Sequence, residues 1–279
     1  MVKISAMADA AHPPIRAQTI GEVLDGAFRI FQRTIVRTLP ISVLAVLIGQ
    51  APNVYLLMRG LPVRDPLRSA DPGWLAVMTV TSVLICVAHY AMLRRQFAII
   101  HDRPTRLGTD LTGALVRTPA ILALLIVQIL AFIIGAVALI LPALYLMVPF
   151  AVAWPVIALE ERGAIDSCKR ALRLTRGSWW RVATIATVAF IVLVVFALVA
   201  MIFLGLMIQL GRGSDDLELL LAASRTTLLA VAALLTPFYS AAAIAIYLDL
   251  IAREQARESS SRLSGLSVPA NAASQGQPG

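Results

Sequence analysis

The acidic side chains best placed for chemistry lie at the end of a long apolar stretch. Glu160 and Glu161 follow directly after residues 121–159, none of which is charged. Two carboxylates at the edge of a membrane are one way to hold a proton or a cation. Acids beside arginine and lysine at a water interface are more commonly structural partners, and several bases follow this pair closely. The predicted structural acids are Glu160, Glu161, Asp166 and Asp249.

Asp249 lies near the end of the last apolar stretch, four residues before Arg253. This spacing places the two side chains on one helix face, where they can form an ion pair. The alternative role for Asp249 is to tether one of the surface helices described below.

The histidines are the other candidates for acid–base or metal chemistry. His12, His89 and His101 lie in separate segments, and their spacing does not place two of them on one metal ion. The sequence contains no glycine-rich phosphate loop, HExxH, GxSxG or CxxC motif. We therefore predict that the chain is not an enzyme, with no catalytic residues, no metal and no cofactor.

The composition identifies the environment that positions these residues. Apolar residues make up 59% of the chain and charged residues only 14%, whereas soluble domains have about 25% charged residues. We therefore predict an all-α polytopic integral membrane protein. The net charge of +8 is a topology signal rather than a sign of nucleic-acid binding, because 19 of the 24 basic residues fall in four segments that alternate with apolar blocks. These segments are expected to face the cytoplasm and anionic lipid.

Six transmembrane helices are predicted, arranged in three hairpins. Residues 121–159 are long enough, at 1.5 Å per residue, for two passes of a roughly 30 Å hydrocarbon core, so we expect a break near Pro142. The alternative for this stretch is a kinked helix followed by a re-entrant segment. The other predicted spans are 39–58, 74–92, 182–208 and 228–250.

Each hairpin is predicted to follow a cytoplasmic amphipathic helix. Residues 24–27, 111–114 and 165–168 share an order of apolar, short polar, tiny and small side chains, which suggests three copies of one unit. The alternative is three unrelated interfacial helices. The first and third copies also carry an aspartate four residues before an arginine, at Asp25 and Asp166. The predicted headgroup-contacting residues are Arg29, Arg33, Lys169, Arg170, Arg173 and Arg176.

Two further sets of side chains complete the predicted sites. Tryptophans at the starts of spans are typical interface anchors, and these are Trp74, Trp179 and Trp180. Uncharged polar residues inside spans must face protein or water, because lipid offers them no hydrogen bonds. The predicted intramembrane polar contacts are Gln50, Asn53, His89 and Gln128.

The predicted organisation is a single membrane domain between two tails. Residues 1–18 form a flexible tail, 19–257 the six-helix domain and 258–279 a Ser-, Gly- and Pro-rich disordered tail. With an even number of spans, both termini are expected in the cytoplasm of a bacterial cell, with the domain in its inner membrane.

Three segments carry a resemblance to a known family: 19–28 (TIGEVLDGAF), 159–177 (LEERG followed by KRALRLTRG), and 247–249 (YLD). They resemble the bacterial membrane-domain family named after glycerophosphoryl diester phosphodiesterase, over most of 19–257. The resemblance implies a six-helix inner-membrane domain, usually of unknown function and sometimes fused to a soluble phosphodiesterase. The His-Arg-Gly opening and acidic metal ligands of that phosphodiesterase have no match here. No catalytic role is therefore carried over.

The expected function is that of a non-enzymatic scaffold or accessory protein that interacts with membrane lipids, chiefly anionic ones. No charged residue lies in the middle of a predicted span, which disfavours a proton- or ion-coupled pump. The alternative is a transporter or channel for a small or lipidic solute, using the intramembrane polar residues. Protein partners are not indicated by the sequence.

Overall fold

The computed structural model describes residues 18–60, 71–137, 141–210 and 217–266. Within these ranges the chain is almost entirely helical and contains no β-strand. The helices are α1 (Ile20–Gly49), α2 (Ala51–Met58), α3 (Pro72–Ile100), α4 (Leu107–Val116), α5 (Thr118–Val137), α6 (Leu141–Leu159), α7 (Ala164–Thr175), α8 (Trp179–Leu210) and α9 (Leu217–Leu266).

Six helical segments in the described residues are long and apolar enough to cross a membrane. They contain α1 with α2, α3, α5, α6, most of α8, and the larger part of α9. The prediction of an all-α polytopic membrane protein is thereby confirmed. The core lies where α1 packs along α9 and α3, the two helices with which it makes its most extensive contacts.

The first amphipathic segment and the first span form one continuous helix. Thr19 and Glu22 cap the start of α1 reciprocally, each side chain bonding the backbone amide of the other. Pro40 lies inside α1 without ending it. The first surface helix is therefore an extension of its span, whereas the second and third are the separate short helices α4 and α7. The helix continues to Gly49 and is interrupted at Gln50, and Pro52 lies in the first turn of the next helix, α2.

The apolar stretch 121–159 is divided into two helices, as predicted. α5 ends at Val137 and α6 begins at Leu141, so the break lies beside Pro142. The two helices approach closely at this end, because a Cβ on Gly135 would lie 2.9 Å from the backbone nitrogen of Ala143. Glycine at 135 therefore permits the tight hairpin.

α9 is longer than the predicted sixth span. It continues to Leu266, beyond residue 258, where the disordered tail was expected to begin. Pro237 lies inside it. Residues 1–17 and 267–279, which make up most of the two predicted tails, lie outside the described residues.

Candidate lipid-contacting and intramembrane sites

A buried aspartate joins the starts of two helices to the C-terminal part of a third. The carboxylate of Asp249 accepts hydrogen bonds from Arg181 at 3.2 Å and from Arg253 at 3.1 Å. Both guanidinium groups also donate to the carbonyl oxygen of Gln18, just before α1. The predicted pairing of Asp249 with Arg253 is present. Arg181 at the start of α8 is an additional partner, so Asp249 tethers a span rather than a surface helix.

Glu160 forms a second charged group at the end of α6. Its carboxylate accepts from Arg162, from Arg170 at 3.3 Å and from the Tyr247 hydroxyl at 3.1 Å. Arg170 also forms a two-point ion pair with Glu254 in α9. The hydrogen bonds to Glu254 raise the pKa of the Arg170 guanidinium above its ordinary value. This network fastens α6, α7 and α9 together.

Glu161 connects three other elements. Its backbone has φ of 53°, a left-handed conformation that turns the chain sharply after α6. Its carboxylate lies 3.0 Å from Arg94 at the end of α3 and 3.5 Å from Arg117 before α5. Glu160, Glu161 and Asp249 thus have the basic neighbours expected of structural acids. Asp166 is exposed and has no ion pair within the described residues.

Two of the predicted headgroup contacts are occupied by protein instead. The Arg170 side chain is only 16% exposed, and its ion pairs with Glu160 and Glu254 leave it unavailable to lipid. Arg33 pairs with Asp102 at 2.6 Å, although this pair is exposed. The pairs suggested by the spacing of Asp25 with Arg29 and of Asp166 with Arg170 are not formed either. Arg170 binds other acids, and Arg29 donates to the backbone oxygen of Asp25, not to its carboxylate.

The remaining predicted basic residues of α7 share one exposed face. Lys169 and Arg173 lie in α7 and Arg176 is its C-cap residue; all three are exposed, with no ion pair in the described part of the chain. Exposed Ile165 and Leu172 lie among them. The opposite face is buried against the bundle through Ala164, Ser167, Cys168, Ala171, Leu174 and Thr175. Burial also raises the pKa of the Cys168 thiol, which keeps it protonated.

The three predicted tryptophan anchors lie in different environments. Trp180 is 79% exposed, as an interface anchor requires. Trp179 is half-buried, stacks on Tyr145 with ring centroids 5.5 Å apart, and donates to the Tyr145 carbonyl oxygen at 2.9 Å. Trp74 is buried at the start of α3, beside α2, so its prediction as an exposed anchor is wrong.

The predicted intramembrane polar residues fall into two separate groups. Asn53 is exposed and donates to Gln50 at 3.2 Å, so these amides bind each other near the α1–α2 break instead of another helix. Gln128 in α5 donates to the carbonyl oxygen of Phe150 in α6 at 3.1 Å. The His89 ring contacts Trp154 and Tyr239, which lie beside Gln128 along one crevice. The structure therefore brings His89 and Gln128 to one place.

Two hydrogen-bond donors that bind carbonyl oxygens freed by prolines inside helices were not predicted from the sequence. A proline leaves the carbonyl four residues earlier without its helical amide partner. Ser42 donates to Ala233, four residues before Pro237, and Trp179 donates to Tyr145, four residues before Pro149. The signal available in the sequence was the proline position itself, which marks a carbonyl in need of a donor. No cluster of three metal-binding side chains exists among the described residues.

Comparison with known proteins gives one finding. Residues 43–250, more than half of the chain, match the profile of the family described as Domain of unknown function (DUF7847). No curated protein and no solved structure matches the chain. The resemblance to the family named after the phosphodiesterase is not addressed by this match and stays a prediction.

Proposed function

We propose that this chain, which belongs to the DUF7847 family of domains of unknown function, is a non-enzymatic membrane scaffold or accessory protein that holds anionic lipid headgroups against α7. The observation that supports it is the exposed face of α7, where Lys169, Arg173 and Arg176 lie among apolar side chains. A basic amphipathic helix of this kind binds at the boundary between headgroups and acyl chains.

The charges around this face make α7 the favoured contact. Arg170, Arg162 and Arg181 already have carboxylate partners, so they add little free positive charge. Each exposed Lys or Arg near an anionic surface contributes about 1 kcal/mol, so three contribute about 3 kcal/mol. This corresponds to a preference of roughly 100-fold for anionic over neutral headgroups at a saturated site.

We place the protein in a bacterial inner membrane with both termini in the cytoplasm. The support is the positive-inside bias together with the position of Gln18, whose carbonyl contacts Arg181 and Arg253. The beginning of α1, the beginning of α8 and the C-terminal part of α9 thus meet at one end of the bundle. α7 is joined to the same end through Arg170 and Glu254.

Native mass spectrometry of the full chain released from mixed nanodiscs tests the proposal. We expect the protein to retain phosphatidylglycerol in preference to phosphatidylcholine. Replacing Lys169, Arg173 and Arg176 by glutamine should remove most of this preference without changing the melting temperature, because these side chains are exposed and form no ion pair with any residue that the structure describes.

A matched variant controls for loss of net charge. Replacing Arg37, Arg59 and Arg106 by glutamine removes the same charge from exposed positions outside α7. This variant should keep much more of the preference for phosphatidylglycerol than the α7 variant keeps. Equal losses in the two triple variants would show that the contact is not made by α7, and an unmodified chain with no preference for either lipid would contradict the proposal.

The second candidate function is transport of a small or lipidic uncharged solute. It is favoured by the prolines inside α6 and α9, since each proline frees a carbonyl oxygen within a membrane-spanning helix, and freed backbone carbonyls bind solutes or ions in many transporters. A liposome flux assay over a panel of neutral solutes tests this candidate. Uptake that saturates with solute concentration would support transport, and flux equal to that of protein-free liposomes would argue against it.

A further inference from the structure

A crevice of about 450 Å³ lies between the α5–α6 hairpin and α9. Its walls carry three polar side chains, Gln128, Trp154 and Tyr239. The apolar part of the lining includes Leu125, Ile129, Phe132, Met147 and Phe150. All of these residues belong to helices apolar enough to cross a membrane, and Ile129, Phe132 and Met147 are exposed on the outer surface of the bundle. The crevice therefore opens sideways, toward the hydrocarbon of the bilayer.

His89 of α3 holds the two aromatic walls of the crevice in place. Its ring centroid lies 5.5 Å from that of Trp154, edge to face, and 5.6 Å from that of Tyr239. Such aromatic pairs contribute beyond their buried area and fix ring orientation. The indole and the phenol ring are thus positioned by a side chain behind them, before any ligand arrives.

The polar groups of the crevice have unused hydrogen-bonding capacity. Gln128 donates one amide hydrogen to the carbonyl oxygen of Phe150, and its own amide oxygen is left free to accept a hydrogen bond. Among the described residues, the Tyr239 hydroxyl and the Trp154 indole N–H have no hydrogen-bond partner. One acceptor and two donors are therefore available at the edge of an apolar space.

The geometry points to a binding site for a neutral glycerolipid, with diacylglycerol as its simplest form. The lining contains no charged side chain, so nothing in the crevice would neutralise a phosphate, a carboxylate or an ammonium group. A free glycerol hydroxyl matches the acceptor on Gln128, and an ester carbonyl matches the donors on Tyr239 and Trp154. The apolar walls accommodate the beginning of an acyl chain. Pockets of this kind, apolar with a few convergent polar groups, are typical ligand sites.

A second apolar groove shows why the polar groups matter. It lies between α1, α8 and α9, is of similar size at about 490 Å³, and is lined by Phe28, Phe31 and Phe238 among other apolar residues. Almost no polar surface lines it, so it offers no means of selecting one lipid headgroup over another. The crevice beside Tyr239 has that means.

This site is independent of the α7 surface. It selects an uncharged head inside the membrane, whereas α7 is proposed to select a negative charge at its edge. Loss of basic residues from α7 should leave the crevice unaffected, and the two proposals therefore fail in different experiments.

Fluorescence quenching of Trp154 tests the site in the full chain. The variant Trp74→Phe, Trp179→Phe, Trp180→Phe keeps Trp154 as its one tryptophan. In phosphatidylcholine nanodiscs, dibrominated diacylglycerol should quench Trp154 more strongly than dibrominated phosphatidylcholine at the same mole fraction. Equal quenching by the two brominated lipids would overturn the proposal, because it would indicate contact with bulk lipid only.

Removing one hydroxyl tests the recognition itself. Tyr239→Phe keeps the ring beside His89 and should weaken the apparent affinity for diacylglycerol about fivefold, the effect of one hydrogen bond. Tyr145→Phe, in α6 but outside the crevice, removes the same group and should leave the affinity unchanged. Equal affinities in the Tyr239→Phe variant and the parent would overturn the proposal.

A second measurement avoids the tryptophan substitutions, one of which removes the bond from Trp179 to Tyr145. Native mass spectrometry of the otherwise unmodified chain and of its Tyr239→Phe variant can follow retained diacylglycerol directly. The unmodified chain should retain more, and identical retention would overturn the proposal.

Discussion

Ser42 in α1 donates a hydrogen bond of 2.5 Å to the carbonyl oxygen of Ala233 in α9. That carbonyl would otherwise lack a donor, because Pro237 has no amide hydrogen to offer it. Gln96 in α3 donates at 2.9 Å to the carbonyl oxygen of Pro237 itself. In a bilayer no water is available for such groups, so the protein must supply donors from neighbouring helices. α1 thereby satisfies the carbonyl that Pro237 frees, and α3 adds a hydrogen bond to the same part of α9.

Replacing Ser42 by alanine should destabilise the protein by about 1–3 kcal/mol, because it leaves the buried Ala233 carbonyl without a partner. Thermal unfolding in nanodiscs measures this loss. Ser82→Ala is the control, since Ser82 is exposed and donates to Met78 in its own helix. It should change stability by less than about 0.5 kcal/mol.

A double-mutant cycle isolates the proline's contribution. Pro237→Ala restores an amide hydrogen that can bond to Ala233, so Ser42→Ala should cost much less in that background than in the parent. Equal costs in both backgrounds would mean that Ser42 does not act by satisfying the freed carbonyl.

Trp179 is expected to stabilise α6 in the same way, by a hydrogen bond to a carbonyl freed by a proline. Its indole donates to Tyr145, whose carbonyl is freed by Pro149, and its ring stacks on the Tyr145 ring. Trp179→Phe should therefore lower stability by about 1–2 kcal/mol. Trp180→Phe removes an exposed indole of the same size and should cost much less. A larger loss from Trp180→Phe, measured by thermal unfolding, would reverse this assignment.

The sequence predicts the helices of this protein better than their contacts. Long uncharged runs identify the spans because lipid tolerates little else, and the break at Pro142 follows from length alone. Arg170, Trp74 and Asn53 were misjudged because their roles depend on tertiary neighbours. Helical spacing placed Arg170 beside Asp166, yet Arg170 pairs with Glu160, just after α6, and with Glu254 in α9. No local pattern reveals such partners.

The surface helices illustrate the same difference. The amphipathic pattern of α7 correctly indicates which of its residues are exposed, since one helix face must pack on the bundle. The pattern before the first span is equally clear, but nothing between Arg37 and Pro40 stops the helix, so α1 continues through. Periodicity therefore predicted the faces, while the separation of helices depended on turns such as that at Gly163.

Asp249 should be the most sensitive acid of the charged network. Asp249→Asn would leave Arg181 and Arg253 beside each other without a countercharge, which should cost about 2–4 kcal/mol given their partial exposure. The matched variant Asp166→Asn alters an exposed acid without an ion pair and should be nearly neutral. Similar melting temperatures for both variants would contradict a tethering role for Asp249.

Protonation of Asp71, the residue just before α3, should lower the stability of the protein in acid. The hydrogen bond from the Tyr55 hydroxyl, 2.8 Å long, holds the pKa of this carboxyl below its ordinary value, with help from the amides of Gly73 and Trp74. A lowered pKa in the folded state stabilises the protein above the unfolded pKa of about 3.9. That contribution is lost as the pH falls below about 4 toward the folded pKa.

The variant Tyr55→Phe tests this pH dependence. It should flatten the change in melting temperature below about pH 4, because the pKa of Asp71 would return toward its ordinary value. Tyr145→Phe removes a hydroxyl elsewhere and should keep the slope of the parent. Parallel curves for the parent and Tyr55→Phe would show that Asp71 is not stabilised by this bond.

A spin label on α7 shows most directly whether the exposed face of this helix lies against lipid headgroups. A nitroxide attached at Leu172→Cys, in a chain whose own cysteines Cys86 and Cys168 are replaced by alanine, reports its surroundings in phosphatidylglycerol nanodiscs. We expect the label to be more accessible to oxygen, which concentrates in lipid, than to a water-soluble nickel complex. Greater accessibility to the nickel complex would place this face in water and contradict the proposed contact between α7 and lipid.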